Sequence, residues 1–223
     1  MSRLEYIEEI GKSRYDMIIE KFNPYHDERG RFTSANGGGM SVSMGVNGSE
    51  TAGKRTAASG TLSQVEAANR NADHEIATII NPQSGKVIFA KDGSETGVSF
   101  NRSERLEVRG NILTHNHTED VIFSPGDVAN SYTLHTIRAT TPGGKVYSLS
   151  GMNRQDAVYA YQEHYMKVRE ASFQKMGVRL DSFDKDLTAA QRAESYSIIT
   201  ESCSKWLSDN AGKYGYQYSE EEY

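Results

Sequence analysis

The sequence predicts a mixed α/β (α+β) fold: a small mixed β-sheet flanked by helices, with an N-terminal helix and a C-terminal helical extension. Three observations carry this expectation. Short runs rich in β-branched residues, at 75–81, 86–91, 111–117, 137–140 and 145–149, have strand length and are bounded by turn residues. Helix-like segments fall between those runs instead of following them all. Beyond residue 150, two long segments repeat aromatic and aliphatic side chains at helical spacing.

Composition sets the limits. At 223 residues, one domain of ordinary size with appendages is expected. A hydrophobic fraction of 36% with a mean hydropathy of -0.66 implies much exposed helix, linker or loop. The 25 basic and 30 acidic residues are mixed along the chain for a net charge of -5, without the basic stripe of a nucleic-acid binder. The single cysteine, Cys203, excludes an intrachain disulfide and a cysteine-rich metal site, and suits a reducing cytosol. No apolar run has the length of a membrane span and the N-terminus has no signal-peptide core, so a soluble protein without a membrane partner is expected.

Residues 1–22 carry Leu4, Ile7, Ile10, Met17, Ile18 and Phe22 with charge between them, the pattern of an amphipathic helix. Asn23-Pro24 ends it, because the residue before proline avoids helical backbone angles. Residues 23–60 read as a flexible linker: from 33 onward they are mostly Gly, Ser, Ala and Asn, which cannot offset ordering entropy by burial. The core spans 61–150. It starts with a helix at 62–71 capped by Thr61 or Ser63, then a hairpin turning at Pro82-Gln83-Ser84-Gly85. A third short strand is expected at 98–100, and a helical turn from Asn101 or Ser103 to Val108. The strand at 111–117 follows. Ser124-Pro125-Gly126-Asp127 then opens a helix to about Leu134, with serine at the N-cap, proline at N1 and a carboxylate at N3. A second hairpin turns at Pro142-Gly143-Gly144. In the extension, 151–223, a helix at 153–176 aligns Val158, Tyr161, Tyr165 and Val168. Another at 188–210 aligns Tyr196, Ile199, Cys203 and Trp206, and the Tyr/Glu tail from 214 reads as frayed.

The chemistry lies in Thr114-His115-Asn116-His117. On a strand, side chains two apart share a face, so both imidazoles project together, as two ligands of one metal must. Asp127 lies ten residues beyond His117. Two imidazoles and one carboxylate leave a position of a tetrahedral zinc open, the arrangement of a catalytic site. The plainer alternatives are polar residues at a strand end, and a Ser-x-x-Asp capping box. The latter is compatible with ligation, since a carboxylate fixed at N3 can still turn one oxygen to a metal.

His-x-His, a short loop and Ser-x-x-Asp together resemble the motif of JAB/JAMM (MPN-type) zinc metalloproteases, over residues 62–150. The resemblance implies Zn2+ on His115, His117 and Asp127, and Ser124 as donor to the developing oxyanion. It also implies a glutamate on an earlier strand as general base. Glu75, about forty residues upstream, is the matching position, with Glu66 a distant second. Two departures stand out: residues 118–123 give six positions before Ser124 where the family usually has seven, and Thr118 stands where proline commonly follows the second histidine. The stretch from Phe22 through Asn23-Pro24-Tyr25-His26 to Phe32 resembles a short segment of tailed-phage and prophage head-morphogenesis proteins.

These resemblances imply a phage- or prophage-encoded, zinc-dependent hydrolase of peptide or isopeptide bonds. It would work in the bacterial host cytoplasm or in association with the virion. Its substrate would be a protein, either a virion protein or a ubiquitin-like conjugate. Two competing readings are an interaction protein of the virion with a non-catalytic metal site, and a toxin or nuclease-like effector. The complete set of Glu75, His115, His117 and Asp127 argues against a vestigial site, and the acidic charge balance argues modestly against a nuclease. Glu119 and Asp120 beside the site read as solvated or as biasing against acidic substrates. His26, His74, His135 and His164 read as ordinary polar residues.

Overall fold

The computed structural model describes residues 55–56, 59–180 and 186–222. The expected helix at 1–22 and nearly all of the expected linker lie outside them. Within the unit Thr51–Tyr223, six strands and a two-residue edge strand form one mixed sheet accompanied by five helices.

Chain order explains the sheet. β1 (Arg55–Thr56) pairs with Lys91 and Ala90, so the expected linker ends as an ordered edge strand. α1 (Leu62–Asn69) starts at Thr61, whose hydroxyl accepts from the Gln64 amide while the Gln64 side chain accepts from the Thr61 N–H. β2 (Ile76–Ile80) and β3 (Val87–Asp92) make the expected hairpin, its turn held by the Asn81 carboxamide oxygen on the amides of Gln83 and Ser84. α2 (Arg102–Val108) is capped by Asn101. β4 (Ile112–Asn116) pairs antiparallel with β2 and parallel with β5 (Thr136–Thr140), and α3 (Pro125–Ser131) makes the crossover that a parallel pair requires. β6 (Lys145–Ser150) returns antiparallel to β5. α4 (Gln155–Lys175), α5 (Ala189–Tyr214) and β7 (Gln217–Glu222) complete the unit. The strand order is β1-β3-β2-β4-β5-β6-β7.

Register assigns the faces. One face carries the row Phe89, Ile79, Leu113, Ile137 and Leu149 and the row Lys91, Ala77, His115, Ala139 and Tyr147. The apolar members other than Ala77 join Val128 of α3, Val158 and Tyr161 of α4, and Ile199, Cys203 and Leu207 of α5 in a single core. The opposite face carries Thr78, Thr114 and Arg138, and α1 lies over it. Glu66 of α1, almost fully buried, accepts from Thr114 Oγ1 (2.9 Å) and from Arg138 Nε (2.6 Å). The central strands are therefore buried on both sides.

Four expectations are corrected. Residues 98–100 form no strand; an isolated bridge joins Ser94 to Gly97 in a tight turn. There a side chain at Gly93 would put its Cβ 2.4 Å from the Gly97 carbonyl oxygen, so only glycine fits. α3 ends at Ser131, not near Leu134. The tail from 214 is not frayed: Gly215, at φ +78°, reverses the chain after α5 and β7 pairs with β6 along its whole length. The region 151–223 is no separate extension, because its helices share the core of the unit and β7 joins the sheet at β6. Among the described residues, no helix is long and apolar enough to cross a membrane.

Candidate metal centre

The pairing of β2 with β4 builds the site. Ala77 faces His115; two residues before Ala77 on the same side lies Glu75, and two after His115 lies His117. Period-2 alternation thus turns one carboxylate and two imidazoles to the same face. Past β4 the chain crosses to Ser124, and α3 brings Asp127 over the imidazoles from its first turn.

Both histidines are 5% exposed. Their Nε2 atoms stand 2.9 Å apart, with Asp127 Oδ1 3.4 Å from His115 Nε2 and Oδ2 3.6 Å from His117 Nε2. The three ligand atoms lie within 4.8 Å of one another. His117 Nδ1 is 2.7 Å from the Val121 carbonyl, an acceptor only, so this nitrogen carries the proton and Nε2 faces the cluster with its lone pair. At 2.9 Å the His115 Nε2 must share a proton with that lone pair, or both nitrogens must face a metal ion, since two bare lone pairs would repel. Zinc fits the donor set: at Zn–N of about 2.0–2.1 Å, two nitrogens of a tetrahedron stand roughly 3.3 Å apart, a few tenths of an ångström more than here. His115 Nδ1 is buried without a hydrogen-bond partner, so the polar contacts of this ring are made through Nε2.

Ser124 and Asp127 form the expected capping box. Asp127 Oδ2 accepts from the Ser124 amide (2.8 Å) and from the Ser124 hydroxyl (2.7 Å), while the Asp127 amide donates to Ser124 Oγ (3.2 Å). Oδ1 is left toward His115. The Ser124 proton is thus engaged by Asp127, although Ser124 lines the same cavity as the cluster.

That cavity, about 360 Å³, is also lined by Glu75 and by Phe100, Tyr165 and Tyr196. Burial pushes the Glu75 carboxyl above its usual range; the histidines oppose this and Asp127 adds to it. Burial would push the Asp127 carboxyl up as well, but the two imidazoles outweigh it and hold the group well below the usual carboxylate range. Burial disfavours the cationic form of His117, yet the hydrogen bond and charge of Asp127, with Glu75 behind them, leave it above its ordinary value. The raised imidazole pKa reports the negative potential set up by Asp127 and Glu75, a field that favours a cation, whether proton or metal ion, at this place.

The remaining candidates lie elsewhere. Glu66 is on the opposite face, bound to Arg138. His74 contacts Asp73 and Asp92 at the surface. Glu119 pairs with Arg192 at 3.5 Å, and Asp120 accepts from the Gly143 amide at 2.6 Å, so the latter holds a loop. His135 is exposed, and His164 contacts Ser202 between α4 and α5. His26 lies outside the described residues.

Two groups escaped the sequence reading. The Val121 carbonyl that orients His117 leaves no trace in side-chain patterns. The Asn116 carboxamide was visible, since an amide between two inward-facing ligands on a buried strand needs partners. Comparison with protein-family models, curated proteins and solved structures found no match to this chain.

Proposed function

We propose that the chain is a zinc-dependent hydrolase of peptide or isopeptide bonds, of the JAMM kind, acting on a protein substrate and encoded by a phage or prophage. The observation that carries this reading is the half-buried Glu75, which lines one cavity with the His115, His117 and Asp127 cluster and has a raised carboxyl pKa. His115, His117 and Asp127 would hold the ion. Zinc bound there would supply a water ionising at about pH 7 and would polarise the scissile carbonyl.

The chain's own residues account for the remaining steps. Glu75 takes the proton of the attacking water and returns it to the leaving nitrogen, a role typically worth about a hundred- to ten-thousandfold. Burial, by raising the Glu75 pKa, makes the carboxylate a better proton acceptor. Asp127 brings the only negative charge among the three ligands. Its capping bonds to Ser124 lock it against rotation, so the ligand is held before any ion binds. Ser124 donates to the developing oxyanion only by releasing Asp127 Oδ2, which the Ser124 amide continues to hold. Phe100, Tyr165 and Tyr196 give the cavity apolar walls against which the chain flanking the scissile bond can pack.

The test combines elemental analysis with intact-mass analysis of virion proteins and ubiquitin-like conjugates incubated with the protein. Wild type should carry one zinc and cleave a candidate. Glu75→Gln should carry zinc and cleave nothing, whereas Asp127→Asn should be zinc-poor. Cleavage by Glu75→Gln at the wild-type rate would place the base elsewhere. A zinc-loaded wild type that cleaves nothing yet binds a virion protein would favour the interaction reading.

A further inference from the structure

Asn116 lies between the two histidines, and none of it is exposed. Alternation along β4 turns its side chain away from the cluster, so it cannot join His115 and His117 as a ligand. It is engaged with the backbone of the neighbouring strand. Asn116 Oδ1 accepts from the Ile76 amide at 2.7 Å, and Asn116 Nδ2 donates to the His74 carbonyl at 2.9 Å. Those two groups belong to the residues immediately before and after Glu75.

On its other side, Glu75 is held by its own backbone. Its amide donates to the Ser94 carbonyl and its carbonyl accepts from the Gly93 amide, both at 2.8 Å. The antiparallel pairing of β2 with β4 reaches only to Ala77 and His115. Beyond that point β4 leans the other way, with the His117 amide donating to the Thr140 carbonyl. A carboxamide has the same donor and acceptor pair as a peptide group. Asn116 therefore extends the β2–β4 pairing by one step where the backbones themselves no longer meet.

We propose that Asn116 is a positioning residue that locks the Glu75 backbone in register with His115 and His117, so that base and metal ligands move as one body. The role rests on the peptidase reading for its consequence in turnover, but the clamp itself is a structural claim. Asparagine suits it because aspartate would lack the donor for the His74 carbonyl, and alanine would leave both backbone groups without this partner. Misplacement of a reacting group by about 1 Å can cost on the order of a hundredfold in rate, which sets the scale expected here.

The experiment uses the full chain carrying Asn116→Ala, with Ser172→Ala as a control. Ser172 is equally buried but contacts Ser195 between α4 and α5, away from the site. In Asn116→Ala the Ile76 amide should lose hydrogen-exchange protection while the Ile79 amide in the middle of β2 keeps its own. Zinc affinity should stay within a few-fold of wild type, and kcat should fall about a hundredfold with KM nearly unchanged. Ser172→Ala should lower the Tm without moving kcat. Unchanged protection at Ile76, or loss of zinc in step with activity, would overturn the proposal, as would wild-type kcat. If wild type hydrolyses nothing, the peptidase reading falls. The clamp is then decided by exchange alone: selective loss at Ile76 upholds it and uniform loss across β2 defeats it.

Discussion

In the proposed centre, a proton and a metal ion would compete for the same lone pair of His117. In the metal-free fold its pKa lies above the ordinary 6.5, because Asp127 and Glu75 outweigh burial. Its protonation therefore stabilises that fold fully below pH 6.5, and the stabilisation is lost as pH rises through the raised value. Asp127 works oppositely: its depressed pKa gives stability above about 3.8, lost as pH falls through the depressed value. A zinc ion at the proposed centre would need the neutral imidazole, so its binding would displace the His117 proton. Zinc affinity should accordingly fall about tenfold per pH unit below the His117 pKa, read by competition with a chromophoric chelator between about pH 5 and 8. An affinity independent of pH over that range would mean that His117 is not a ligand. These residues were readable in the sequence because strand alternation and helix-cap position are local rules. The Val121 carbonyl was not, since it depends on the path of a loop with no period.

Among the elements, α1 shows how sidedness separates stability from chemistry. Its Glu66 reaches over β4 and β5 to Thr114 and Arg138, while His115 next to Thr114 faces the opposite side. Glu66 is 1% exposed at its side chain and Arg138 12%, so the pair is largely removed from water. Removing one partner of a buried pair strands the other charge and costs about 3–5 kcal/mol. Glu66→Ala should destabilise by that order in denaturant unfolding, reduced by the remaining contact of Arg138 with Glu221 at 3.4 Å, and should still bind one zinc. Selective loss of zinc with unchanged stability would show that the two faces are coupled. Thr61 and Asn101 were each one of two candidate N-caps, while Ser124 as an N-cap and the strands that α1 lies over were legible. β7 was not: as an edge strand it leaves most side chains exposed, and its glutamates show no apolar alternation. Charged edges of this kind protect a sheet from pairing with other chains, and they hide the strand from pattern reading.

At the scale of the whole unit, no boundary falls at residue 150: residues on both sides of it share one core. Periodicity marked α4 and α5 as helices and their aromatic faces as packing surfaces, but it carried no information about which sheet those faces would cover. Their buried side chains join Phe89, Ile79, Leu113, Ile137 and Leu149 in one core. They also fasten the six-residue loop that leads from His117 to Ser124. The Tyr161 hydroxyl donates to the Phe123 carbonyl at 2.6 Å, and the Ile122 amide donates to Thr200 Oγ1 at 3.1 Å. The position of Asp127 over the histidines thus depends on helices that begin some thirty residues after it. A fragment ending at Ser150 would expose that apolar row and release the loop together. It should fail to fold and fail to bind zinc, whereas a chain beginning at Thr51 and retaining α4, α5 and β7 should do both. In that longer chain the single tryptophan, Trp206, lies on α5 against Tyr161 and Tyr214, so its fluorescence reports on the helices. Helix detachment and zinc release should coincide in one cooperative transition with denaturant. Two separated transitions, with zinc retained after Trp206 is exposed, would show that residues 61–150 form a domain of their own.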